Sequence, residues 1–178
     1  MDIISKQDLA KHIYDIAYIQ GEFKLRSGQI SNVYFDKYQF ETRPNMLNYI
    51  TEHICNSILP NDFDLLAGLE MGGIPIATAL GLKTGKSMVF VRKKAKEYGT
   101  AKFIEGPNVH NQTLLIIEDV VTSGGQIISS VNDLRKEGAI IEKAICVIDR
   151  EQGGSEKLKE HGIELISLFT MKQLIPTL

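Results

Sequence analysis

A chain of 178 residues is long enough for one domain with a substantial core and too short for several. Apolar residues make up 43% and charged residues 24%, with 15 Gly and 5 Pro, which excludes fibrous and disordered classes and leaves an ordinary globular chain. Twenty Lys plus Arg against 22 Asp plus Glu leave a formal net charge of -2, so no global field draws the chain to nucleic acid or to an anionic membrane, and any basic site is local.

In chain order, Ser5 followed three residues on by Asp8 marks a helix start, and Leu9, Ile13 and Ile16 share one helical face. After Gly21 the stretch 23–36 alternates around Ser27 and Gly28, which predicts a β-hairpin. Arg43 and Pro44 open a second helix, with Leu47, Ile50, Ile54 and Ile58 at helical spacing and an end near Pro60. From Asp64 onward, dense apolar runs at 65–69, 88–91, 114–117, 144–148 and 163–168 predict five parallel strands. Helices are predicted between them at 74–83, 126–137 and 155–161, the last two closed by Gly138 and Gly162. Strand–helix alternation predicts a doubly wound α/β fold: a mainly parallel five-stranded core over about 62–148, flanked by helices. A small hood from residues 1 to about 40, with the carboxyl-terminal segment, completes a single domain.

Cys55 and Cys146 stand in apolar surroundings and read as core residues. The four histidines, His12, His53, His110 and His161, show no metal-ligand spacing. The first nine residues lack the apolar run of a secretory leader and no later window reaches the length of a membrane span, so the expected location is the cytoplasm.

In such sheets ligands bind beyond the carboxyl ends of the strands, so the chemistry is expected just after each apolar run. The most specific stretch is 114–126, where an apolar strand meets Glu118 and Asp119, then Val120 and Val121, then Thr122, Ser123, Gly124, Gly125 and Gln126 ahead of a helix. Residues 122–126 can turn sharply, aim several backbone N–H groups at one anion and set it on the positive end of the following helix. The loop has no Lys and misses the Walker spacing, so it suits a monophosphate rather than a P-loop triphosphate. Glu118 and Asp119, leaving the strand together, can accept hydrogen bonds from vicinal sugar hydroxyls and hold negative charge beside a developing cation. As isolated acids they would be solvated turn residues; the flanking strand and loop set them apart.

Three further segments stand at strand ends. Arg92, Lys93, Lys94 and Lys96 form a basic run within 92–99, long enough to act as a lid over an anion, although such a run is more often a solvated face. Gly72 and Gly73 follow the first core strand, where a glycine pair either admits a close anion or serves a turn needing positive φ. Arg150 offers the planar fork that grips a carboxylate, or else a surface ion pair with Glu151. Tyr34 and Phe35 could flank a flat ring if the hairpin folds over the site; as lone aromatics they would be core.

The thirteen residues 114–126 resemble the phosphoribosyl pyrophosphate (PRPP) signature of the type I phosphoribosyltransferases. Stretches 23–36, 92–99 and 149–154 resemble the corresponding parts of the members that take orotate, so the similarity spans most of the chain. The resemblance implies that family's fold and the transfer of the 5-phosphoribosyl group from PRPP to N1 of orotate. The products would be orotidine 5'-monophosphate and pyrophosphate, in pyrimidine biosynthesis, with no covalent enzyme intermediate.

It also implies site residues. PRPP would be held by Arg26, Gly72, Gly73, Arg92, Lys93, Lys96, Tyr98, Glu118, Asp119 and residues 120–126, with Glu118, Asp119 and Lys96 catalytic, and orotate by Tyr34, Phe35, Thr122 and Arg150. Three positions depart from the common pattern: Arg26 and Gly72 stand where members often carry Lys, and Tyr98 where many carry His. Mg²⁺ is expected mainly on PRPP oxygens and water, with Asp119 nearest its hydration shell and no dedicated protein cage. The resemblance implies a homodimer whose lid is shared between subunits. Two alternatives stay open at this point: another base acceptor, or a PRPP-binding regulatory protein without turnover.

Overall fold

The computed structural model describes residues 3–24, 28–93 and 103–175. Ser5 caps the first helix by accepting a hydrogen bond from the Asp8 N–H at 3.1 Å, and α1 (Lys6–Ala17) buries Leu9, Ala10, Ile13 and Ala17. The chain turns directly into a two-stranded antiparallel hairpin, β1 (Tyr18–Lys24) with β2 (Ile30–Phe35), Tyr18 facing Phe35. The hairpin thus begins earlier than predicted, because pairing with β2 reaches back to the end of α1 and a bulge between Gln20 and Phe23 absorbs Gly21. A four-residue helix absent from the sequence reading, α2 (Tyr38–Glu41), precedes α3 (Pro44–Ser57).

The central sheet is built from β3 (Leu65–Leu69), α4 (Gly73–Thr84), β4 (Met88–Val91), β5 (Ile104–Glu105), β6 (Thr113–Val121), α5 (Gly125–Lys136), β7 (Ile140–Asp149), α6 (Gly154–Glu160) and β8 (Glu164–Thr170), with α7 (Met171–Leu174) after it. Its order is β5-β4-β3-β6-β7-β8. The five parallel strands expected are all present; β5, two residues long, adds an antiparallel edge beside β4. The sheet also runs past the expected core limit at residue 148, because β8 pairs with β7 from Lys143↔Glu164 to Asp149↔Thr170.

Successive residues of a strand face opposite sides of a sheet, and both sides here are dry. Leu66, Leu115, Ile117, Ile145 and Val147 meet α1, α3 and α4 on one face, while Leu65, Ala67, Leu114, Ile116 and Cys146 meet α5 and α6 on the other. Among the described residues no helix is long and apolar enough to cross a membrane. Three layers therefore leave the carboxyl edge of the parallel strands as the place where loops converge.

Candidate active site

Four loops meet at that edge, following β3, β4, β6 and β7. The loop after β6 encloses a pocket of about 300 Å³ lined by Glu118, Val120, Val121, Thr122, Ser123, Gly124, Gly125, Gln126 and Ile127. Gly124 takes a left-handed φ of 70° as the cap of α5, a conformation only glycine adopts without strain, and the first turn of α5 carries no acid to compete for an anion. Thr122 and Ser123 are exposed on the rim, and the Gln126 amide donates to Ser130 Oγ at 3.3 Å.

The loop after β7 is pressed against this one. A Cβ at Gly154 would lie 2.6 Å from the Thr122 carbonyl oxygen, so only glycine permits the contact. The Arg150 N–H donates to the Val121 carbonyl at 2.9 Å, which sets the exposed Arg150 beside the pocket. Glu151 pairs instead with Lys172, at 3.1 Å.

Glu118 and Asp119 depart from the sequence reading. They do not emerge at a strand end but lie within β6, whose ladder with β7 continues from Glu118↔Cys146 to Val121↔Asp149. They are consequently buried, 8% and 0% exposed, and alternate across the sheet. Glu118 faces the α5 side and lines the pocket, whereas Asp119 faces α2 and the loop after β3. Burial and the neighbouring Asp119 carboxylate push the Glu118 carboxyl well above its ordinary range.

Around Asp119 the structure gathers two residues that the sequence reading missed. Lys37 places its Nζ 2.5 Å from Asp119 Oδ2, and Glu41, 4% exposed, brings its Oε1 against Gly72 beside the same carboxylate. Burial raises the Glu41 carboxyl to about 9, the adjoining Asp119 adding to the shift, so Glu41 is a neutral donor at neutral pH. Burial alone would raise Asp119 too, but the hydrogen bonds from Glu41 and Glu118 and the Lys37 ammonium outweigh it and hold Asp119 below its ordinary value. Burial is the largest single influence on Lys37 and lowers it, but the charge and hydrogen bond of Asp119, with smaller contributions from Glu118 and Tyr38, together outweigh it and hold Lys37 above its ordinary value. The signal for both was the spacing: Lys37 and Glu41 are four apart, one turn of helix, but a four-residue helix shows no hydrophobic period to reveal it.

The same neighbourhood explains the glycine pair. Gly72 has φ −70°, and Gly73 is not in the left-handed region either, so the positive-φ alternative does not apply. A Cβ on Gly72 would fall 1.6 Å from Asp119 Oδ2, and one on Gly73 would fall 2.1 Å from the Ile117 carbonyl oxygen. What approaches these glycines closely is the β6 strand itself.

Glu70 joins this loop to the basic run: its N–H donates to the Val91 carbonyl at 2.8 Å and its carboxylate accepts from the Lys93 N–H at 3.3 Å. Arg92 is half-buried and, among the described residues, its Nε has no hydrogen-bond partner, while the Lys93 side chain is exposed. Arg26, Lys96 and Tyr98 lie outside the described residues. Tyr34 and Phe35 do not act as a pair, since neighbours on a strand face apart: Tyr34 is 46% exposed and tilts against Phe23, at 5.5 Å between ring centroids, while Phe35 packs toward buried Phe40.

Among the described residues no three His, Cys, Asp or Glu converge as a metal cluster. The two acids within β6 are Glu118, raised by burial, and Asp119, already opposed by Lys37, so together they form no closed set of protein ligands.

A mainly parallel sheet with a lysine-free loop leading into a helix amino terminus, and acids in the strand before it, is the arrangement shared with the type I phosphoribosyltransferase fold. The chain belongs to the phosphoribosyltransferase family: the model described as "Phosphoribosyl transferase domain" matches residues 39–167. Curated relatives at 35–43% identity include orotate phosphoribosyltransferases of bacteria and archaea. That of Nocardioides sp. is 43% identical over 166 residues, covering 93% of this chain and 92% of that protein. That of Halobacterium salinarum is 41% identical over 155 residues, covering 87% of each. Among solved structures, orotate phosphoribosyltransferase of Mycobacterium tuberculosis in complex with Fe(III) dicitrate superposes with a TM-score of 0.85 at 26% identity, over 95% of this chain and 98% of that one.

Proposed function

We propose that this chain transfers the 5-phosphoribosyl group of PRPP to N1 of orotate, forming orotidine 5'-monophosphate and pyrophosphate for pyrimidine biosynthesis. The observation that carries the reading is the pocket where the loop of residues 122–126 and the amino terminus of α5 meet Glu118. Backbone N–H groups and the Thr122 and Ser123 hydroxyls would hold the 5-phosphate there. Departure of pyrophosphate leaves positive charge on the ribose ring; Glu118 lines the pocket, and Asp119, buried on the opposite face of β6, would act on that charge from beneath it. Arg92, whose Nε has no partner among the described residues, and Lys93 are donors for the diphosphate at the adjoining strand end. Arg150 would take the orotate carboxylate in a two-pronged pair, and Tyr34 would offer its exposed face to the pyrimidine.

Mg²⁺ carried on PRPP would neutralise charge on the leaving pyrophosphate. The reading includes Lys96, Tyr98 and Arg26 as further contacts to PRPP and a homodimer with a shared lid, and it puts the reaction in the cytoplasm. The chain's near-complete alignment with orotate phosphoribosyltransferases supports it. The test is the loss of orotate absorbance on adding PRPP and Mg²⁺, run beside uracil, adenine, guanine and hypoxanthine. Turnover of orotate alone is expected. Turnover of another base instead would reassign the acceptor, and PRPP binding without any turnover would leave a binding protein. Light scattering and mixed subunits carrying inactive sites and inactive lids check the dimer.

A further inference from the structure

We propose that Lys37 and Glu41 are positioning residues that clasp Asp119 from the α2 segment and set its aim and charge for the transfer reaction. The inference rests on the proposed function and adds to it two residues that act through Asp119.

Three observations carry it. First, the contact is direct and largely dry: the Lys37 ammonium lies 2.5 Å from Asp119 Oδ2, and the Asp119 side chain is fully buried while a third of the Lys37 side chain is exposed. A buried carboxylate without a counter-charge would take up a proton, and a neutral acid could not oppose an oxocarbenium-like ring. Second, Glu41 Oε1 and Asp119 Oδ2 are both buried and both lie against Gly72, so Glu41 borders the Asp119 carboxylate and limits the orientations open to it. Third, the elements are held rigidly. The Asp36 N–H donates to the Ala17 carbonyl at 2.8 Å, Gln39 donates to Asp36 Oδ2 at 3.0 Å, and Phe40 is wholly buried, so α2 is anchored on both sides of the clasp. Gly72 completes the arrangement from the loop after β3, for a Cβ there would strike Asp119 and come within 2.9 Å of Glu41 Oε1. The charged or titratable groups around Asp119 are thus Lys37 and Glu41 from α2 and Glu118 from its own strand.

The test combines steady-state kinetics with a stability cycle on the full chain, using Lys37→Met, Lys37→Arg, Glu41→Leu and Glu41→Gln. Lys37→Met and Glu41→Leu are expected to lower kcat about 10- to 100-fold with KM for orotate nearly unchanged, in the range seen when a preorganised group at a developing charge is lost. Lys37→Arg and Glu41→Gln, which restore a cation and a donor, should recover most of it. In melting experiments Lys37→Met should lower Tm in the native background but little in Asp119→Asn, whose neutral amide needs no counter-ion. An active wild-type protein in which Lys37→Met and Glu41→Leu keep full kcat would overturn the proposal, as would equal Tm losses in both backgrounds. Glu41→Gln as damaged as Glu41→Leu would overturn the donor role. A wild-type protein that leaves orotate untouched defeats the functional reading instead, and the stability cycle still decides the clasp.

Discussion

The anion loop at residues 122–126 and the clasp around Asp119 adjoin on one strand, yet they are built on opposite principles. The loop is made of consecutive residues: a strand end, a left-handed glycine and a helix amino terminus produce it wherever that order occurs. It holds no titratable side chain. The clasp draws Lys37 and Glu41 from one segment, Gly72 from a second and Asp119 from a third, and three of its four members are ionisable.

The comparison can be broken at either region, beginning where the effect is largest. Asp119→Asn removes the negative charge while keeping the shape, and kcat should fall about 100- to 1,000-fold with the far-ultraviolet spectrum unchanged; unaltered kinetics would take Asp119 out of the mechanism. On the loop side, Arg150→Ala should raise KM for orotate about 10- to 100-fold, the worth of one charge-assisted pair, while calorimetry shows PRPP binding retained. Both affinities unchanged would assign Arg150 to the surface.

Glycine substitutions separate the two regions by mechanism. Gly124→Ala forces a side chain into a φ of 70°, at a cost of about 1–2 kcal/mol in unfolding experiments, and should weaken ribose 5-phosphate binding. Gly72→Ala carries no such backbone strain; its Cβ displaces the Asp119 carboxylate, so it should depress kcat while ribose 5-phosphate affinity is preserved. The reverse pattern would show that the regions had been mis-assigned.

The smallest effect is on the pH dependence of stability, read without substrate or Mg²⁺. Glu41 is raised from 4.5 to about 9, so between those values the folded protein keeps a proton that the unfolded chain releases, and stability declines as pH rises through that window. Glu41→Gln removes one contributor and should flatten the decline of Tm, whereas Gly124→Ala should run parallel to the wild type. Superimposable slopes for wild type and Glu41→Gln would mean that Glu41 is not held protonated.

Much of the fold was legible because its signals are short-range. The apolar runs at 65–69 and 88–91 match β3 and β4 residue for residue, and Pro75, Gly138 and Gly162 sit at the ends of helices or just beyond them. Where pairing partners decide the outcome, reading residues in order misplaced the boundaries. Polar Glu118 and Asp119 looked like the close of a strand, but β7 supplies a ladder alongside them, and β6 continues to Val121. The hairpin began at Tyr18 for the same reason, with Phe35 opposite. The glycines at 72 and 73 were noticed for the freedom of their backbone, whereas the cause is the crossing of β6 at a distance no Cβ allows.

The order of residues was thus sufficient to announce a parallel α/β sheet and a sharp turn before α5, since both follow from side-chain periodicity and backbone chemistry within a few neighbours. It could not announce that Asp119 would be fully buried against an ammonium while Glu118 beside it lines a pocket and is pushed up by burial. That difference arises because alternate strand residues enter separate layers of the molecule, and only the layer containing α2 brings an ammonium and a proton donor to the acid that enters it.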